Sequence, residues 1–476
     1  MQKSSIILIT LSLLGGSLVA KNVNAADLEW SGIFRVEGNH ISNSELTGKK
    51  RELDYGLTHL SLRPKIVAGD GITINAQFEI FNQPRNAPWG NDNQLGAVWG
   101  AGLRGTGPSY TVANSNTIAD NEKPESIKIS QLYLSYVQEY GNLVVGRVPS
   151  QFGLGMTHNA GRGLFDHWYD TRDMVGYKMI LGNMYFMPIV AKPSEGNLNK
   201  TDDVTDLIAH FQYENPETDL QMGLYYQVRT GSDQGSDAPI PTIGGVGATN
   251  NTGVNSKLLN LFALRDNERF RAGVEASFQS GEVGVSTASN DKVTWGGFGV
   301  ATEFEYRPAE KNWKIGLNAG MATGDDPGTD AKFEGYVFDR NYDVAMLLFN
   351  RPIGQADFFR TQIIGGGGSA DINSPDVEAI SNVSYVAPYH HYKFNDLWSM
   401  ENRIITGWLN TNPILGTEVS KDIGYEYDFS LNFQPRKGVM WVNQVGMLFP
   451  GSAFKAGGTY DSDFMYGIST KAAISF

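Results

Sequence analysis

IGYEYDFSLNF, residues 423–433, alternates without a break: every odd position is apolar or aromatic, and every even one is glycine, charged or hydroxyl/amide. Period two of this kind marks a β-strand with one dry face and one wet face. The puzzle is the wet face, which carries Glu426 and Asp428 in mid-strand between Tyr425, Tyr427 and Phe429. The pattern recurs along the chain. Leu28, Trp30, Phe34 and Val36 alternate with Glu29, Ser31, Arg35 and Glu37, and Ile72, Ile74, Ala76, Phe78 and Ile80 interleave with Thr73, Asn75, Gln77 and Glu79. Leu220, Met222, Leu224, Tyr226 and Val228 do the same with Gln221, Gly223, Gln227 and Arg229, as do Phe270, Ala272, Val274, Ala276 and Phe278 with Arg271, Gly273, Glu275 and Gln279.

The connections alternate in length. Short turns fall at AGDG (68–71), EYGN (139–142), LGN (181–183), ENPETD (214–219), RDNER (265–269), RPAEKN (307–312), KFNDL (393–397) and QPRKG (434–438). Longer polar stretches lie between them, two of them very long, at about 82–126 and 323–380. Strands flanking each turn, plus one at either end, make about 18, an even count that returns both ends to one side. Alternation is ragged at Gly176 to Val190 and at Val383 to Tyr392.

The chain has 476 residues, no cysteine, 55 glycines and a net charge of −13. Lys3, an apolar run from Ile6 to Leu18 and Val23-Asn24-Ala25 read as a secretory signal peptide over residues 1–25, cleaved after Ala25. Its removal takes the charge to −15, which disfavours nucleic acid as a partner. No later apolar run reaches the roughly 18 residues of a membrane helix, and the missing cysteines exclude a disulfide-stapled scaffold. The fold expected for residues 26–476 is therefore all-β, a single transmembrane antiparallel up-and-down barrel with short periplasmic turns and long extracellular loops.

In a bilayer a sheet must close to pair every backbone group, and closure at this strand number encloses more space than side chains fill. Glu426 and Asp428 are thereby read as lumen residues. The same parity gives a lining of Arg35, Arg63, Arg147, Arg229, Arg271, Arg307, Lys314, Arg403 and Lys471 with Glu29, Glu37, Glu79, Glu275, Glu303, Glu305, Glu401, Glu426 and Asp428. Both signs are present, so these groups either bias the pore or pair across strands and stiffen the wall. The segment FEGYVFDRNYDVAMLLFNRPIGQADFF, residues 333–359, is too apolar for a free external loop. It is expected to fold into the barrel or over its mouth, with Asp339, Arg340 and Asp343 narrowing the passage; a cap on the loops or a subunit contact are the alternatives. PRNAPWGNDNQLGAVWGAGLRGTGPSY, residues 84–110, is a second candidate for the entrance.

Catalytic patterns are poor. His390 and His391 are adjacent in a strand and point to opposite faces. GDDPGTD (324–330) clusters carboxylates but lacks the glutamate that closes a calcium loop, and neither GxxxxGK[ST] nor HExxH occurs. No catalytic residue, metal or cofactor is assigned, and an enzyme is not expected.

The terminal strand FMYGISTKAAISF (464–476), ending on an aromatic residue, resembles the terminal signal of Gram-negative outer-membrane proteins. The mature chain as a whole resembles their porin-like barrels, with QLYLSYVQEYGNLVVGRVPSQFG (131–153) similar to a porin hairpin ending in Gly146-Arg147. GYEYDFSLNFQPRKGVMWVNQVGMLFPGSAF (424–454) is similar to the C-terminal hairpin of alginate-export-type barrels, through Gly424, Glu426, Asp428, Phe449, Pro450 and Gly451. The resemblance implies an outer-membrane location and passage of small hydrophilic solutes or saccharides through a water-filled lumen. As partners it implies outer-membrane lipid and lipopolysaccharide, the barrel assembly machinery and a possible homo-oligomer. A loop-plugged structural or adhesive barrel is the rival expectation, and an outer-membrane hydrolase the next.

Overall fold

Because alternate side chains of a strand point to opposite faces, neighbouring alternating strands can pair into one sheet with a consistent dry side. A computed structural model shows that they do. It describes residues 27–47, 52–82, 95–98, 109–111, 117–119, 125–194, 203–232, 250–287, 289, 291–329, 331–351, 353–355 and 379–476. The expected signal peptide and most of the candidate entrance segment at 84–110 lie outside these residues, as do residue 352 and the part of the 333–359 segment beyond residue 355.

The first barrel strands are β1 (Asp27–Ile41), β2 (Leu53–Gly69), β3 (Ile72–Asn82), β4 (Glu125–Gln138), β5 (Gly141–Pro149) and β6 (Thr171–Leu181). β7 (Met184–Ser194), β8 (Val204–Asn215), β9 (Leu220–Gly231), β10 (Asn255–Asp266), β11 (Phe270–Ser286) and β12 (Phe298–Tyr306) follow. The circuit ends with β13 (Trp313–Ala322), β14 (Val383–Lys393), β15 (Trp398–Leu409), β16 (Asp422–Arg436), β17 (Val439–Pro450) and β18 (Met465–Ser475). Each pairs antiparallel with the next, and β1 pairs with β18 from Ile33↔Ser475 to Ile41↔Gly467, closing an 18-stranded barrel. Closure leaves no free sheet edge. Gly32 and Phe476 seal the seam by exchanging two backbone hydrogen bonds, of 2.9 and 3.1 Å.

All eight short turns fall where the sequence places them, at one rim. The outer face is apolar, with Leu28, Trp30, Phe211, Leu224, Phe304, Trp398, Tyr425 and Trp441 exposed on it. The inner face is not uniformly wet. Val144, Val148, Met187, Ile189 and Ala191 on β5 and β7 form a buried cluster with Phe152, and Val383, Tyr385 and Ala387 on β14 belong to another with Leu347, Leu348 and Phe349. Met187 and Ile189 on β7 and Val383, Tyr385 and Ala387 on β14 lie in the stretches whose alternation is ragged, because two apolar faces erase period two.

Candidate functional site

Two connections fold inward and meet inside the barrel. The first, residues 150–170, leaves β5 and reaches the β11 wall. There the Glu275 carboxylate accepts hydrogen bonds from the backbone N–H groups of Leu154 (2.7 Å), Met156 (3.2 Å) and Thr157 (3.1 Å). It then crosses to β1, where the Arg35 guanidinium donates to the Asp166 carbonyl and His167 Nε2 lies 2.8 Å from Glu37 Oε1. β1 and β11 lie on far sides of the barrel, so this loop spans the lumen.

The second inward connection lies between β13 and β14. It seats on β16, where Glu426 accepts from Leu347 N (2.7 Å), Leu348 N (2.7 Å) and Met346 N (3.0 Å), and Asp428 accepts from Met346 N at 2.9 Å. Missing side chains in the wall make room for it. A Cβ on Gly467 would stand 2.8 Å from Leu347 Cδ2, and one on Gly446 would stand 3.1 Å from Met346 Sδ.

The loops also hold each other. Asn341 Oδ1 accepts from His167 N (3.2 Å) and Trp168 N (3.0 Å), while its Nδ2 donates to the Trp168 carbonyl at 2.6 Å. Asp339 N donates to the Met156 carbonyl at 2.7 Å, and the Arg340 guanidinium lies 4.4 Å from the Trp168 ring. Met156 joins Tyr336, Phe338, Tyr342, Leu347 and Leu348 in one buried cluster.

The expected lining residues divide by partner. Glu275, Glu426 and Asp428 face inward but are bound to loop backbone rather than presented to a passage. Arg35 is buried and bound to loop carbonyls; Arg63 donates to Gln77 Oε1 at 2.9 Å, and Glu79 is buried against His59 Nε2 at 2.7 Å. Arg229 is paired with Asp206 (2.8 Å), and Arg271 with Glu303 (3.1 Å) and Asp266 (3.0 Å). Glu305 meets Arg307 (2.5 Å) and Lys314 (2.8 Å), and Glu401 meets Arg403 at 2.9 Å. Of the constriction candidates, Asp339 and Arg340 sit where the loops join, and Asp343 is exposed and accepts from Ala345 N at 3.0 Å.

Arg147 departs from its expected place. Its register partner is Leu132, exposed on the outer wall, and it forms an ion pair with Asp173 at 2.7 Å. Parity reads backwards on β5 because its inward positions, Val144 and Val148, are apolar under the 150–170 loop. His391 points inward, 3.9 Å from Glu401, with His390 on the opposite face. Asp326, in the acidic 324–330 stretch, binds the backbone N–H of Gly328 at 2.9 Å.

Sequence reasoning missed the 150–170 loop. Its signal was present in SQFGLGMTHNAGRGLFDHWYD, which carries Phe152, Met156, Phe165, Trp168 and Tyr169 in what reads as a short loop.

Asp339 gives the junction a pH dependence. Enclosure, with the Asp170 carboxylate beside it, raises its pKa well above the ordinary aspartate value. A carboxyl whose pKa is raised in the seated state favours seating fully below its free value, about 3.9, and loses that contribution as pH climbs toward the raised one. His158, buried with Arg172 Nη2 at 2.9 Å, is shifted down by burial and opposes seating only as pH falls below its ordinary value. Between the ordinary aspartate range and neutrality Asp339 therefore loosens the loops as pH rises, against an opposite trend from His158. Asp339→Asn, fixed neutral, should remove the Asp339 contribution and leave loops that only tighten as pH rises toward neutrality, measured as protease sensitivity of the loops against pH; an unaltered profile would refute the assignment.

No protein-family model and no curated protein matches the sequence. Among solved structures, OpdQ of Pseudomonas aeruginosa superposes with a TM-score of 0.51 over 94% of this chain and 98% of that one, at 9% identity. OccK11 (OpdR) of the same organism gives 0.49 over 96% and 98% at 10% identity. DcaP, an outer membrane channel of Acinetobacter baumannii, gives 0.41 over 95% and 98% at 13%. At these identities the likeness concerns the fold alone, which is that of Gram-negative outer-membrane porin-like barrels.

Proposed function

We propose that the chain is an outer-membrane channel that passes small hydrophilic solutes by passive or wall-biased diffusion through a lumen narrowed by two of its own loops. The observation that carries this is the seating itself. Wall carboxylates and wall glycines hold both loops inside a barrel whose bare interior would be wide. Outer-membrane lipid and lipopolysaccharide, with the assembly machinery of that membrane, are the partners such a barrel requires.

The seating also bears on charge. Glu275, Glu426 and Asp428 are occupied by backbone N–H groups, and Glu37, Asp206, Glu305 and Glu401 by cations. Arg162, exposed on the 150–170 loop, makes no hydrogen bond or ion pair among the described residues. With the lining groups paired, the charge presented to the passage is set by exposed loop groups such as Arg162 and Asp343, which biases solutes by modest amounts. Glu426 and Asp428, which carry the likeness to alginate-export-type barrels, here seat a loop, so that motif gives no separate argument for an anionic polymer as cargo.

Planar-bilayer recording of the purified protein tests the reading: stepwise currents are expected. Glu275→Leu removes the acceptor of three N–H groups, each worth about 1–3 kcal/mol when left unpaired in a buried place, and should enlarge the current step. Silence in both proteins would favour the rival that the apolar junction between the loops suggests, a barrel stoppered by its own chain. Lipid hydrolysis by the purified protein would favour an enzyme instead.

A further inference from the structure

One sector of the outer wall carries side-chain amides at mid-depth. Around β9 and β11 the outward positions are unbroken hydrocarbon or ring, as in Met222, Leu224 and Val228 or in Val274, Ala276 and Phe278. From β15 to β18 and on to β1 they include amides and hydroxyls at mid-depth. Thr470 stands midway between Tyr466 and Ile474 on β18, Asn443 is its register partner on β17, and Asn402 lies on β15 between Trp398 and Trp408.

These groups are half satisfied. Thr470 Oγ1 donates to Asn443 Oδ1 (2.9 Å) and accepts from Trp441 Nε1 (2.8 Å), while the Tyr427 hydroxyl donates to Asn402 Oδ1 at 2.7 Å. Whichever way each amide is turned, one end of it has no partner among the described residues and faces outward. Acyl chains offer no hydrogen bond, and an unpaired amide in hydrocarbon costs several kcal/mol. Beside the amides is a notch of about 410 Å³, opened where Gly38 presents no side chain opposite Thr470 and walled by Phe429, Leu431, Val445 and Ile468.

We propose that this sector, from β15 through the closing seam to β1, is covered in the membrane by a second copy of the chain. An amide both donates and accepts, so the same face on a neighbour supplies the missing partners. The notch takes a side chain from the neighbour's wall. Both features lie on the same side of the barrel, where a lipid would satisfy the notch but not the amides. The proposal rests on the reading that the barrel spans a membrane.

The chain has no cysteine, which makes the test direct. Single variants Asn443→Cys and Leu224→Cys are placed in outer membranes and treated with a flexible bis-maleimide. Cross-linked species from Asn443→Cys and none from Leu224→Cys are expected. Equal cross-linking at both sites, or none at either in membrane-embedded protein, would overturn the interface while leaving the barrel reading intact; recovery in the soluble fraction would overturn both. Asn402→Leu with Asn443→Leu adds a second readout. This variant should keep the heat-modifiable mobility of a closed barrel but migrate as a monomer in mild detergent, and persistence of the oligomer would count against the proposal.

Discussion

Replacing Glu426 by leucine is expected to unseat the second inward loop and raise single-channel conductance several-fold. Three backbone N–H groups, those of Met346, Leu347 and Leu348, lose an acceptor in a buried place, and Met346 alone retains Asp428. A buried N–H left without an acceptor costs about 1–3 kcal/mol, so stranding the two leucine N–H groups costs roughly 2–6 kcal/mol. Against this stands the apolar seat. Burying Leu347 and Leu348 contributes about 1.5–3 kcal/mol apiece, so the two contributions are comparable and the loop should fluctuate between seated and released rather than leave for good. Larger mean current with added flicker is the expected record. Glu426→Gln, which keeps an acceptor oxygen, should fall between wild type and leucine. A leucine variant with wild-type conductance would show that apolar packing alone holds the loop.

Asn341→Ala should loosen both loops at once. A single amide accepts from two N–H groups of the first loop and donates to a carbonyl there, all within the enclosed junction. Stranding those three groups costs roughly 3–5 kcal/mol. Each wall anchor survives, so the signature differs from that of the carboxylate variants: residues 160–170 and 338–345 should become sensitive to protease together, while Glu275→Leu or Glu426→Leu should expose mainly its own loop. Independent behaviour of the two loops in Asn341→Ala would mean that the junction transmits nothing.

The barrel was legible because its physics is local and repeated. Period-two strands, turn signals such as AGDG and QPRKG, and a closing strand ending at Phe476 each point to the same cylinder, and their agreement fixed strand count and sidedness. What parity could not convey was the state of the inner face. Glu275 and Glu426 read as inward from parity, yet nothing in their own strands indicates that the N–H groups of distant loops would occupy them. Where the loops dock, on β5, β7 and β14, the wall is dry on both sides. The same apolar residues that blur the alternation there and reverse the reading of Arg147 are the docking surface. Raggedness in an otherwise alternating barrel sequence was the mark of an inserted loop. Asn341 carries no such mark, because its role depends wholly on three-dimensional neighbours.

The first inward loop, fastened to Glu275 on one side and to Arg35 and Glu37 on the other, works as a tie-rod. A hollow cylinder of strands yields most easily by flattening into an ellipse under lateral load. A strut across its width opposes that deformation, so the cross-section should stay round as the surrounding bilayer changes tension, and the aperture should owe its dimensions to the strut rather than to the lipid.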